Sequence, residues 1–295
     1  MKFSVIIFSL LLFSFNGCSS LKSTASKPSP FINQTLTENN QLKILSWNIK
    51  MFPGPYGWFL NCSKRAENII HFINESDPYD IIFFQEAFSE SIRKNIYEGL
   101  KNIYPYNIEP DDHTVFYKLN SGLWVISRLP ISQINHISFT NNGGSDKLAS
   151  KGAKLFSITK DKREFNLIHT HMQSDYKTQF SDVRTHQYTE INDKLILPIE
   201  KKRLPLILIG DLNISKADKL QFLLQKLNLQ NGPLIGKLQH SIISGSKNLV
   251  DYILVRENHI KFKSIQRRVI DISNKLHENR YNLSDHYPLE AVFIW

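Results

Sequence analysis

Apolar and polar positions alternate with two different periods along the chain, and the alternation begins near residue 41. The stretch LKILSWNI (42–49) alternates as a strand does. From Ser63, a candidate N-cap, Ala66, Ile69, Ile70 and Ile73 fall at helical spacing. DIIFFQE (80–86) is a continuous apolar run with two polar residues at its end, the pattern of a buried strand. Ser89 is placed to cap a second helix carrying Ile92, Ile96 and Leu100 on one face. Strand candidates then follow closely: HTVFYKL (113–119), GLWVISR (122–128), ISQINHISF (131–139), GAKLFSIT (152–159) and EFNLIHTHM (164–172). A helix is expected over about 182–195 and another over about 218–227, with LPLILIG (204–210) between them as a strand. VDYILV (250–255) and LEAVFIW (289–295) complete the series. With no internal repeat and no composition break after residue 41, these segments predict a single α/β domain with many strands.

One segment breaks the pattern. MFPGPYGWFL (51–60) is interrupted by Pro and Gly, as a loop is, yet carries Phe52, Tyr56, Trp58 and Phe59. Two readings stand: the aromatics fold back over the sheet edge, or they face an apolar partner such as a bilayer interface, where amphipathic rings sit well.

Bulk properties narrow the field only a little. A chain of 295 residues can bury a sizeable core, and 41% hydrophobic with 12% aromatic residues argues against disorder. The formal net charge of +9 suits an anionic partner, whether nucleic acid, phosphate or a membrane surface, but scattered surface lysines account for it equally well.

The N-terminus reads as a targeting segment. Lys2 precedes FSVIIFSLLLFSF, a run too short to span a bilayer comfortably, followed by small residues as in a secretory signal. FNGCSS places Cys18 after Gly17 and resembles a bacterial lipobox, although Phe15 and Asn16 depart from its usual pattern. Residues 1–18 are therefore read as a signal peptide with a lipobox, and the product as exported, either anchored through Cys18 or freely secreted. Residues 19–40 read as a flexible tether, and 41–295 as the folded domain. If Cys18 is lipidated, Cys62 has no disulfide partner, and no Cys/His zinc spacing occurs.

The polar residues of interest stand at strand ends. Asn48 ends the first strand, Glu86 ends the second, and His169 and His171 end FNLIHTH. Asp211 and Asn213 follow LPLILIG, Asp251 opens VDYILV, and Asp285 and His286 precede the last strand. Each alone has a plain structural explanation: turn chemistry for Asp211 and Asn213, surface exposure for Glu86, a bonded core imidazole for His171, a loop pair for Asp285 and His286. Together they predict convergence on one rim of a sheet, where ligands commonly bind. Asn48 and Glu86, with Asp211 or Asp285, offer hard oxygens that suit Mg²⁺ rather than zinc. A histidine paired with a carboxylate suits a general base, and a second histidine suits stabilisation of a phosphorane or leaving group.

ILSWNI, FFQE, HTHMQ, GDLN, VDYIL and SDHYP, in that order over about 42–295, resemble the endonuclease/exonuclease/phosphatase superfamily of DNase I-like metal phosphoesterases. The resemblance implies a four-layer α/β/β/α sandwich of two packed mixed sheets flanked by helices. It also implies roles: Asn48 and Glu86 at the metal, Asp211 and Asn213 orienting water and phosphate, and Asp285 a further metal-site acid. His286 would be the general base, Asp251 its orienting carboxylate, and His171 the stabiliser of the transition state. KRAENI, YPYNI, SGLWVISRLPI, ASKGAKLFSI and DVRTHQYTEI are most similar to neutral and bacterial sphingomyelinases, which implies cleavage of sphingomyelin to ceramide and phosphocholine. Mg²⁺ is the implied cofactor, with Mn²⁺ or Co²⁺ as substitutes, a membrane lipid the implied substrate, and a monomer the implied state. Two features depart from that family: the extra His169, and a basic 256–282 region without paired aromatics at a hairpin tip. A secreted endonuclease on the same scaffold is the main competing reading, with an inositol-lipid phosphatase and a catalytically silent lipid-binding lipoprotein behind it.

Overall fold

The computed structural model describes residues 40–111, 118–174, 180–243, 245, 247–272 and 283–295. In chain order the strands are β1 (Gln41–Met51), β2 (Ile81–Ala87), β3 (Tyr106–Ile108), β4 (Trp124–Ser127), β5 (Ile131–Ser138), β6 (Gly152–Lys160), β7 (Arg163–His171), β8 (Leu206–Asp211), β9 (Leu234–Ile235), β10 (Asp251–Arg256), β11 (Ser264–Val269) and β12 (Leu289–Ile294). The α-helices are α1 (Gly54–Phe59), α2 (Cys62–Glu75), α3 (Glu90–Leu100), α4 (Ser181–Ile191) and α5 (Ala217–Leu227). One mixed sheet runs β3-β4-β2-β1-β12-β11-β9 and the other β10-β8-β7-β6-β5.

Side-chain parity explains the layering, because successive residues of a strand point to opposite faces. On β1, Leu42 and Ile44 join Ile81, Phe83, Phe156, Leu167, Ile207, Ile253 and Phe293 in the core between the sheets. The odd residues Leu45, Trp47 and Ile49 face α2 and α3, against Ala66, Ile69, Ile73, Ile92 and Ile96. On the second sheet, Ile168, Leu208 and Leu254 turn outward to Tyr188, Ile191, Leu223 and Leu227 of α4 and α5. The central strands of both sheets are therefore buried on two faces, which is why they read as near-continuous apolar runs. The result is the expected α/β/β/α sandwich.

Several elements differ from the sequence reading. MFPGPYGWFL is not a loop throughout, since α1 forms one short helix with proline in its first turn, where the missing N–H costs nothing. The helix expected to 195 is regular to Ile191 and continues as a π-helical turn (Asn192–Ile196) and a 3₁₀ turn (Leu197–Lys202) containing Pro198. β11 was hidden by its charges: Arg267 is buried with its guanidinium on the Gly232 carbonyl, and Arg268 pairs with Glu290. The strand candidate 113–119 lies mostly outside the described residues, although Leu119 bridges Ala149.

Candidate active site

The parity that fills the inter-sheet core changes character at one end of the sandwich. On β1 the inward series Leu42, Ile44 continues to Ser46 and Asn48, and on β2 the series Ile81, Phe83 continues to Gln85. On β7, Phe165 and Leu167 are followed by His169 and His171, and on β8, Ile207 and Ile209 by Asp211. Register places these ends side by side: His171 opposite Asp211, Asp211 opposite Asp251, and Asn48 opposite Gln85. Polar groups from six segments therefore meet in one cleft between the sheets.

Asp211 Oδ2 is the hub. It accepts from Asn48 Nδ2 at 3.2 Å and lies 3.5 Å from His171 Nε2 and 3.9 Å from His286 Nε2. Asn48 Nδ2 also donates to Glu86 Oε1 at 2.9 Å, while its oxygen accepts from the Lys50 N–H. His286 Nδ1 lies 2.8 Å from Asp251 Oδ2. Asn213 takes a left-handed φ of 52°, donates its N–H to Asp211 Oδ1 and its side-chain amide to the Met172 carbonyl. Glu86 is also left-handed, at φ 53°, so the chain turns where its carboxylate enters the cleft. Gly210 (φ 143°) is required beside Asp211, because a Cβ there would sit 1.8 Å from the Thr170 carbonyl oxygen.

Seven of the eight residues singled out for roles share this group; Asp285 stands at its edge. Its Oδ2 accepts from Lys50 Nζ at 2.6 Å. His169 lies one step deeper than His171, fully buried against Phe83 and 2.8 Å from Gln85 Nε2.

Burial and charge set the protonation states. Burial, then Lys151, drives His171 well below the ordinary histidine range, so it is neutral. Burial, then the Asp251 charge, pushes the Asp211 carboxyl up to about 7. Burial opposes charge on His286, but Asp251, Asp211 and Asp285 outweigh it and raise its pKa to about 10.

The donor set fits a hard cation. Asp211, Asp251 and His286 each offer a ligand atom, and these atoms lie within 4.8 Å of one another. Asp251 Oδ1 is buried with no hydrogen-bond partner, and the crowding that lifts the Asp211 pKa is what a bound cation relieves. Glu86 adds a third carboxylate through its shared Asn48 contact.

Other contributors were not singled out beforehand. Buried Lys151 donates to His171 Nε2 (3.0 Å), the Met172 carbonyl (2.9 Å) and Asp146 (2.8 Å). An ammonium only donates, so His171 carries its proton on Nδ1. Trp47 Nε1 donates to the His286 carbonyl, Ser284 Oγ to the Asn48 carbonyl, and Ser241 Oγ accepts from the N–H groups of Val250 and Asp251. A lysine between small residues in ASKGAK was the one signal available for Lys151; the others act through backbone atoms and leave none.

A two-sheet sandwich with amides, carboxylates and histidines gathered at one end is the architecture of the Endonuclease/Exonuclease/phosphatase family, whose model matches residues 45–286, and the chain belongs to that family. It is 28% identical to a sphingomyelinase C of Leptospira interrogans, an alignment covering 92% of this chain and 56% of the relative. It is 24% identical to a phospholipase C of Staphylococcus aureus, covering 86% of this chain and 88% of that protein. The chain spans about half the length of the Leptospira relatives it matches. The crystal structure of a Staphylococcus aureus beta toxin mutant with bound magnesium ions superposes with a TM-score of 0.72 at 22% identity, covering 86% of this chain and 100% of that one. Sphingomyelinase C from Streptomyces griseocarneus gives 0.70 at 19% identity, covering 86% and 99%.

Proposed function

We propose that the chain is a Mg²⁺-dependent phosphodiesterase that hydrolyses sphingomyelin to ceramide and phosphocholine. The single observation that carries this reading is the placement of Asp211 Oδ2 between Asn48, His171 and the Asp251–His286 pair, in a cleft whose crowded carboxylates call for a cation. Glu86, Asp211 and Asp251, with Asn48 supporting them, would hold Mg²⁺. A bound ion would supply charge neutralisation to the phosphoryl group.

The chain's own residues do the rest. Asp251 holds the His286 ring so that its Nε2 faces Asp211 and the cleft. With the carboxylate charge that raises the His286 pKa offset by a cation, its Nε2 would be neutral, able to take the proton of a water oriented by Asp211 and Asn213. The water oxygen then bonds to phosphorus as the bond from phosphorus to the ceramide oxygen breaks, and that oxygen takes up a proton from solvent. The Lys151 ammonium, held on His171 Nε2, would supply the positive charge that stabilises the phosphorane oxygens, with His171 positioning it.

Substrate class rests on the relatives named sphingomyelinase and on the cleft rim. Trp58 is 76% and Phe59 80% exposed on α1, which follows Asn48 by only a few residues, whereas Phe52 folds back onto Tyr56 and Phe88. Exposed aromatic rings a few residues along the chain from Asn48 suit the surface of a bilayer. Among the described residues no helix is long and apolar enough to cross a membrane. The reading includes export, with either a Cys18 lipid anchor and a 19–40 tether or free secretion, and action as a monomer.

The test measures phosphocholine release from sphingomyelin and from phosphatidylcholine vesicles, with and without Mg²⁺, alongside plasmid nicking. Mg²⁺-dependent release from sphingomyelin is the expected result. Nicking without phosphocholine release would replace this reading with the endonuclease, which the net charge of +9 favours.

A further inference from the structure

Lys50 stands where a second cation would be expected, and the chain is built to keep it there. Its backbone is left-handed (φ 50°), and the β1–β2 register shifts between Asn48 and Met51. For a residue with a Cβ this conformation is unfavourable and persists only where the surroundings impose it. Buried Arg65 imposes it here. Its guanidinium donates to the Ile49 and Lys50 carbonyls and, from Nε and Nη2, to the Leu283 carbonyl at 2.9 and 2.8 Å. One side chain thus clamps both the bulge that carries Lys50 and the segment that carries Asp285. The Lys50 N–H is tied to Asn48 Oδ1 as well. The ammonium ends 2.6 Å from Asp285 Oδ2, within the field of Glu86.

We propose that the site holds one divalent cation, on the Asp211–Asp251 side of the cleft, and that Lys50 supplies the second positive charge at Asp285. This rests on the metal-dependent reading above. Mg²⁺ needs ligand oxygens at about 2.0–2.1 Å in near-octahedral order. An ammonium 2.6 Å from Asp285 Oδ2 excludes such an ion from that oxygen by contact and by charge. The other oxygen of Asp285 is 3.3 Å from Ser284 Oγ. Asp211 and Asp251 have no lysine or arginine bond among the described residues, so their side of the cleft stays open to a metal. Where two-metal phosphodiesterases flank the phosphate with two ions, this chain would flank it with one ion and one ammonium. Asp285 is then a partner of Lys50 rather than a metal ligand, which revises the role the family resemblance implies for it.

The test counts Mn²⁺ ions bound per full-length chain, by titration with electron paramagnetic resonance detection of free Mn²⁺. The wild-type chain is expected to bind one. Lys50→Met is expected to bind a second, weaker ion, Lys50→Arg to remain at one, and Lys50→Met with Asp285→Asn to return to one. Two ions in the wild type, or one ion in Lys50→Met, overturns the inference and leaves the metal-dependent reading standing. No bound Mn²⁺ in the wild type overturns both. Circular dichroism and melting of each variant show that it is folded.

Discussion

His286 and Asp251 meet at 2.8 Å through Nδ1 and Oδ2, which leaves Nε2 of the same ring 3.9 Å from Asp211. One carboxylate fixes the ring and another lies across from its free nitrogen. Positioned acid–base catalysis contributes about 10²–10⁴-fold in rate. His286→Ala is expected to lower kcat by that factor. Asp251→Asn is expected to fall in the same range, since it removes the charge that orients the ring. Full-rate phosphocholine release by His286→Ala would contradict its assignment as the base.

Proton linkage gives a second prediction, for the metal-free protein. The folded state raises His286 from 6.5 to about 10 and Asp211 from 3.8 to about 7. In both cases the folded chain holds its proton more tightly than the unfolded chain. The stabilisation is therefore complete below each unfolded value and is lost as pH rises: between about 4 and 7 for Asp211, and between 6.5 and about 10 for His286. Melting temperature without metal should fall across these ranges, and the gain on adding Mg²⁺ should grow with pH, because the ion competes with the protons. Asp211→Asn should flatten the lower part of the curve and abolish the Mg²⁺ gain. A pH-independent Mg²⁺ gain in the wild type would count against the site.

Trp58 and Phe59 test the rim. Trp58→Ser with Phe59→Ser is expected to cut the rate on sphingomyelin vesicles about tenfold or more, from lost interfacial burial. The rate on a water-soluble phosphodiester should stay unchanged. Equal rates on vesicles, with a normal melting temperature, would remove the membrane role.

Arg65 tests the scaffold beneath the cleft. Arg65→Met leaves the Ile49, Lys50 and Leu283 carbonyls without their shared donor and should destabilise the fold by about 3 kcal/mol. A melting temperature close to wild type would show that the clamp is dispensable.

Gly210 tests the approach of β7 and β8. Gly210→Ala places a methyl carbon 1.8 Å from the Thr170 carbonyl oxygen, so the two strands must separate beside both Asp211 and His171. A loss of about 3 kcal/mol or more is expected, together with weakened Mg²⁺ binding. Chemical denaturation and Mg²⁺ titration measure the two effects.

The sequence by itself determined most of the long strands and where their chemistry stands. Continuous apolar runs such as IIFFQE and LPLILIGD lead straight into a polar ending, so Glu86 and Asp211 were visible as strand-end groups, as were Asn48, His171 and Asp251. Tertiary structure decided what only pairing between distant strands can decide. It made Asp211 the hub, set Asp285 on Lys50, and placed His169 in the core one pleat below His171, although both stand in the same HTH. It also recruited Arg65, Lys151, Ser241 and Ser284, whose partners are mostly backbone carbonyls and N–H groups. The physical reason is that local periodicity fixes which face a side chain takes, while the partner across the cleft is fixed by register between segments up to 239 residues apart, as Trp47 and His286 are.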